Sequence, residues 1–398
     1  MDRTIATARS VQSIRNIFSP VATGSDARPP AGSPSSRAAG APYSRVVMEI
    51  RTLEAGEVEA VLQLLSGWDA PNGWRGPDAF RRQMQLDPEF REHNVWVAVD
   101  RGEVVATVQI HPRRLRILGH GIPAGGIGPL YTRPDFRGRG VASNLVERAA
   151  TAMRERGMEL SLVFTGAPRL FERLGWNAWR GQRSILRRSD QKRPARARAG
   201  ESLEIEIIEL EPQRDRALSA VKAIHNAYSG SRNGTVIRDD ALWDASLRLA
   251  GNPEEEFLVA RRGGLAVAYA RASLLDDGLT ITEVGRFEDG SVALAQLVST
   301  LLAPRSDDPL ARAGRSSSEI RSFAVMSTFD DIGLTVSLEH EGVASHPVDD
   351  DSGLIRCLNL HALAARLDVE LLPDENEPAF LRRILPPDGF VFWPADRF

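Results

Sequence analysis

Apolar positions in this chain follow two periods, and the period switches in a regular order. A strand-like run, Met48-Glu-Ile-Arg-Thr-Leu53, opens the first folded segment. Val58, Val61, Leu62 and Leu65 then fall on one helical face. Phe80 and Met84, four apart, predict a second helix over 77–86, begun by a proline at its first turn. The β-branched runs 94–99 and 104–110 flank Asp100-Arg-Gly-Glu103, which predicts a hairpin. Strand-like runs at 114–118 and 122–132 flank Gly119-His-Gly121. Val141, Leu145, Ala149 and Met153 repeat every fourth residue, so a helix is predicted up to the stop at Gly157, followed by a strand at 160–165.

The same order returns further on. Leu203, Ile205 and Ile207 alternate as in a half-buried strand, and helical patterns follow at 216–228 and 240–250. A hairpin is predicted around Arg262-Gly-Gly264, then a strand at 280–287, a helix at 292–302, a strand at 320–325, a helix at 328–339 and a closing strand at 354–358. Two consecutive mixed α/β units are therefore expected, with a segment at 361–398 whose aromatic end, Phe390-Val-Phe-Trp393 to Phe398, predicts a tail docked towards the functional site.

Composition narrows the picture. Residues 1–47 are rich in Ser, Ala, Arg, Pro and Gly with almost no acids, and are expected to be disordered. The basic stretch 186–200 reads as a solvated linker. A net charge of -3 gives no global basic footprint for nucleic acid. The single cysteine, Cys357, excludes an internal disulfide and makes a cytoplasmic setting the default. No apolar run approaches the ~20 residues that span a bilayer. Scattered histidines and one cysteine predict no metal site.

The stretch carrying chemistry is Gly125 to Gly157: a strand, the turn Arg137-Gly-Arg-Gly140, and a helix beginning near Val141. The first turn of a helix presents unpaired backbone N–H groups at its positive dipole end, and glycine lets an anion approach them. It is neither a Walker A loop nor a G-x-G-x-x-G fingerprint. Arg137-x-x-Gly140-x-Ala142 in this context resembles the coenzyme A pyrophosphate loop of the GNAT acetyltransferase superfamily. Ala167-Pro-Arg-Leu-Phe-Glu-Arg-Leu-Gly-Trp176 is similar to a second segment of that family. Two such units and a chain ending in phenylalanine resemble its enhanced intracellular survival branch.

That resemblance implies two tandem GNAT-like mixed-sheet domains. The first, at 48–185, would bind acetyl-coenzyme A; the second, at 201–360, is degenerate, because Glu288 and Asp289 would repel a pyrophosphate. It implies cofactor contacts from Leu130, Tyr131, Thr132, Arg137, Gly138, Arg139, Gly140, Val141, Ala142, Ser143, Gly166, Ala167 and Phe171. It also implies an N-acetyltransferase acting on a small-molecule amine or exposed lysine, and closed homo-oligomers. The family's general acid is a tyrosine, which here aligns with Phe171; its general base is a terminal carboxylate, matched by Phe398. Tyr131 is the candidate replacement acid. His111 and His120 are candidate bases, and Trp68, Asp69 and Trp74 candidate acceptor-pocket residues. A non-catalytic acyl-coenzyme A sensor is the alternative reading, and a tRNA-dependent aminoacyl transferase a third.

Overall fold

The computed structural model describes residues 48–68, 77–189, 203–207, 216–249, 255–275, 278–308, 310, 316–327, 330–386 and 389–396. The calls on 1–47, Asp69, Trp74 and Phe398, and on most of the linker 186–200, lie outside them.

The first half runs β1 (Glu49–Thr52), α1 (Val58–Leu65), α2 (Pro77–Leu86), β2 (Val95–Asp100), β3 (Glu103–Ile117), β4 (His120–Thr132), α3 (Val141–Glu155), β5 (Leu160–Phe164), α4 (Pro168–Glu172) and β6 (Asn177–Arg188). The second runs β7 (Leu203–Ile207), α5 (Arg216–Gly230), α6 (Asp240–Leu249), β8 (Glu256–Arg262), β9 (Leu265–Leu275), β10 (Gly278–Arg286), α7 (Ser291–Leu301), α8 (Ser317–Ile320), β11 (Ala324–Ser327), α9 (Ile332–His340) and β12 (Val343–Cys357). Helices α10 (Leu360–Leu367) and α11 (Glu377–Ile384) follow.

Local rules explain most of these elements. The β2–β3 hairpin turns on Arg101 and Gly102, both at positive φ, as a tight two-residue turn requires. Along β2 the residues alternate: Val95, Val97 and Val99 share a core with α1 and α2, and Ala98 shares one with α3. Val141, Leu145, Ala149 and Met153 of α3 are all buried. Gly125 on β4 lets that helix come close, since a Cβ there would sit 2.1 Å from Met153 Sδ. Asn359 and Asn376 cap α10 and α11, whose apolar faces cover β3, β4 and β5 on the side away from α3.

Tertiary structure departs from the sequence pattern in three places. The runs 104–110 and 114–118 form one strand, β3, continuous through Pro112, which pairs with Gly125. The expected strand at 320–325 begins at Ala324, because Ser316 and Glu319 form a capping box that starts α8 first. Finally, β6 extends to Arg188, past the expected boundary at 185, and β12 spans Val343 to Cys357.

These last two strands join the halves. The strand order is β1-β2-β3-β4-β5-β12-β6-β11-β10-β9-β8-β7, a single sheet. Strand β12 of the second half lies antiparallel to β5, and β6 of the first half lies antiparallel to β11. The two exchanged strands pair with each other from Val343 opposite Arg188 to Ile355 opposite Asn177. Each half thus completes the other's sheet, and separating them would expose two unpaired edges. A protease site placed between residues 190 and 202 is therefore expected to leave the cleaved halves co-eluting on size exclusion without denaturant. Two separate species would refute the exchange.

Candidate active site

Strand β4 keeps its partner β3 to the end, with Thr132 opposite Ala106, but parts from β5 after Ile127, opposite Val163. Beyond that point β5 follows β12: Phe164 lies opposite Gly353, and the Thr165 N–H donates to the Ser352 carbonyl at 2.9 Å. The sheet therefore forks. Peptide groups of 128–132 that point toward β5 have no ladder partner; the Gly128 and Thr132 carbonyls meet His111 and Arg137 instead, which leaves those of Leu130 for a ligand. A cleft of about 570 Å³ opens in the fork.

The base of the cleft is the start of α3. Gly140 is its N-cap at φ +78°, with Gly138 at +73°, and a Cβ added to either would meet nothing within 4 Å. Glycine is needed there for the left-handed backbone rather than for room. No side chain caps the helix, and its first turn carries no acid. The Asn144 N–H closes the first turn on the Gly140 carbonyl at 3.1 Å, leaving the preceding amides for an anion. Arg137 pins the turn to the end of β4 through Nε to the Thr132 carbonyl at 3.0 Å.

Most residues singled out from sequence meet in this cleft. Leu130 and Thr132 line it from β4, and Arg137, Gly138 and Gly140 from the turn. Val141, Ala142 and Ser143 line it from α3, and Gly166, Ala167 and Phe171 from the far side, with Trp68 at the α1 end. Phe171 is buried edge-on against Trp176, at 5.7 Å between ring centres.

Two expected contacts do not line it. Tyr131 turns to the opposite face of β4, where it stacks on Trp68 and donates its hydroxyl proton to the Gly67 carbonyl at 2.8 Å. Alternation along the strand puts its neighbours, not Tyr131, toward the fork, and the Arg137 guanidinium lies 5.6 Å from the centre of its ring. Arg139 lies over the Phe136 ring at 5.0 Å, outside the lining.

The histidine candidates fall away for physical reasons. His111 is fully buried behind the wall, with Nε2 2.5 Å from the Gly128 carbonyl and Nδ1 3.4 Å from Asp87. Burial pushes its pKa down, against the pull of Asp87. Burial opposes ionisation of Asp87 as well, yet His111 and Arg113 hold that carboxyl below the usual carboxylate range. His120 is exposed at the β3–β4 turn, away from the lining.

Sequence reasoning missed the opposite wall. Leu242, Ala245 and Ser246 of α6, Ser273 and Leu275 of β9, Thr282 of β10 and Pro394 to Asp396 all line the same cleft. Only the aromatic tail gave any signal of it. The tail is fixed by Trp393, fully buried, whose indole N–H donates to Ser229 Oγ at 3.2 Å.

The second half forks in the same way, because β10 pairs with β11 only from Leu279 to Ile281. There, however, Arg286 at the end of β10 reaches across to Asp331, which caps α9, at 2.8 and 3.1 Å. Glu288 and Asp289 precede α7, and a Cβ on Gly290 would press to 2.6 Å of the Val267 carbonyl. This fork is bridged by its own ion pair, and two carboxylates stand before its helix where the first half has Arg137 and Arg139. Among the described residues, no helix is long and apolar enough to cross a membrane, and no group of three His, Cys, Asp or Glu could share a metal ion.

Comparison with known proteins agrees with this geometry. The acetyltransferase (GNAT) domain family matches residues 49–179. An acetyltransferase of Pectobacterium atrosepticum is 30% identical over 124 residues, covering 31% of this chain and 73% of that protein. Among solved structures, a GCN5-related N-acetyltransferase from Kribbella flavida superposes with a TM-score of 0.55 at 18% identity, over 81% of this chain and 74% of that one. Eis1 from Mycobacterium abscessus superposes at 0.52 and 17% identity, over 80% and 76%. These two likenesses concern the fold. The forked sheet, the uncapped glycine turn and the matched relative together place the chain in the GNAT acetyltransferase family, and it is an acyltransferase.

Proposed function

We propose that the protein transfers the acetyl group of acetyl-coenzyme A directly to a primary amine, of a small molecule or an exposed lysine. The observation carrying this reading is the uncapped α3 N-terminus at the base of the fork. In this reading the amides of Val141 to Ser143 and the Arg137 side chain hold the pyrophosphate. The free peptide groups near Leu130 pair with the pantetheine arm, and Gly166, Ala167 and Phe171 line its other side. The donor supplies an activated acyl carbon. The amine nitrogen forms the new N–C bond through a tetrahedral intermediate, the C–S bond breaks, the thiolate leaves and the amine gives up one proton.

A lysine-like amine, with a pKa near ~10.4, is about one part in a thousand neutral at pH 7. General-base help is worth roughly 10²–10⁴-fold. A thiol near ~8.5 leaves without a strong acid, which fits phenylalanine at position 171. The test is thiol release from acetyl-coenzyme A across a panel of amines. Amine-dependent release is expected. Tight acetyl-coenzyme A binding with no release on any amine would favour a sensor instead.

A further inference from the structure

The wall contributed by the second half has a chemistry of its own. Asp396 lines the cleft with its side chain 6% exposed. One carboxylate oxygen, Oδ1, accepts from Arg238 Nε at 2.7 Å. The other, Oδ2, is buried and has no hydrogen-bond partner among the described residues. Such an oxygen is costly unless a ligand or water meets it.

The carboxylate is held firmly. Its backbone N–H donates to the Trp393 carbonyl at 2.9 Å. Arg238 is shared between two carboxylates, because that guanidinium is also paired with Glu283 at 2.9 and 3.1 Å. Arg271, the other cation on Glu283, is itself shared with Glu255 at 2.8 Å. A fixed negative charge thus faces the cleft with a free acceptor. Ser273, on the same lining, has a buried hydroxyl that also lacks a partner. Phe80 and Leu275 add apolar surface to the same lining.

We propose that Asp396 binds the acceptor: its free oxygen receives the ammonium of a small organic amine, with Ser273 Oγ taking a second N–H. The apolar surroundings select an organic cation over a bare metal ion, and a single carboxylate is too few ligands for one. This assigns the donor to the first half and the acceptor to the second, and it rests on the acyl-transfer reading above. Asp396 is an acceptor-binding residue, and the reaction needs its amine deprotonated only after docking.

The test titrates 2-phenylethylamine, protonated at pH 7, and its uncharged isostere 2-phenylethanol into the full chain, with and without saturating coenzyme A. The ammonium is expected to bind about tenfold tighter or more, the value of a charge-assisted hydrogen bond. Asp396→Asn is expected to erase that preference while coenzyme A affinity stays within about twofold. Ser273→Ala removes a hydroxyl that has no partner, so its melting point should hold while the ammonium weakens severalfold. Equal binding of ammonium and alcohol by the wild type overturns the proposal, and so does a preference that survives in Asp396→Asn. Should Asp396→Asn not fold, the wild-type pair and Ser273→Ala decide. Coenzyme A affinity is read separately, so its loss counts against the donor site and a lost ammonium preference against the acceptor site.

Discussion

Gly140→Glu is expected to weaken acetyl-coenzyme A binding by roughly a hundredfold or more, about 2.7 kcal/mol. Two costs act together. The residue sits at φ +78°, where glutamate, like most L side chains, pays about 1–2 kcal/mol. The new carboxylate would also occupy the positive end of α3, the place assigned to the pyrophosphate, and repel it. The same carboxylate is favourable to the helix itself, so the fold should survive and the loss should appear in binding. Gly140→Asn avoids both costs, since asparagine tolerates the left-handed region and carries no charge. It should keep most of the affinity by calorimetric titration. Unchanged affinity in the glutamate variant would remove the turn from the donor site.

The side of the cleft assigned to the donor was legible because its parts are close in sequence. A helix with apolar residues every fourth position, a turn with two glycines and a strand before it suffice to place Gly138 to Ser143 at a helix start. Of the two expected contacts outside the lining, Tyr131 is a question of strand parity: the irregularity where Val108 and Ile110 pair with Leu130 and Ile127 resets which residues face the fork. The side assigned to the acceptor was legible only in Trp68 and in the aromatic tail. Ser273, Thr282 and Asp396 come from strands and a tail more than a hundred residues away, and no local pattern marks them as neighbours of Leu130. The strand exchange was hidden for a similar reason. Strand β6 carries Arg187 and Arg188, which read as linker, and nothing in the alternation of β12 says whose edge it will pair with.

Behind the second-half wall of the cleft stands Glu283, and its removal should be the most destabilising single change here. It is fully buried and accepts hydrogen bonds from Arg238 and Arg271 and, at 2.6 Å, from the Tyr269 hydroxyl; His225 Nδ1 lies 2.8 Å away. Glu283→Ala would leave two buried guanidiniums short of a counter-charge, a change that costs about 3–5 kcal/mol. Equilibrium urea unfolding at pH 7 reads that loss directly. The sign of its pH dependence follows from the folded state. Burial raises the pKa of Glu283, but Arg238, His225 and Arg271 outweigh it and hold the carboxyl well below its usual value. A depressed carboxylate contributes fully above its unfolded pKa, near ~4.3, and progressively less as pH falls beneath it. The gap between wild type and Glu283→Ala should therefore be constant from pH 7 to about 5 and narrow toward pH 3. A gap that is absent at pH 7, or that stays the same width down to pH 3, would mean the carboxylate is not the ionised centre on which both arginines and the Asp396 wall depend.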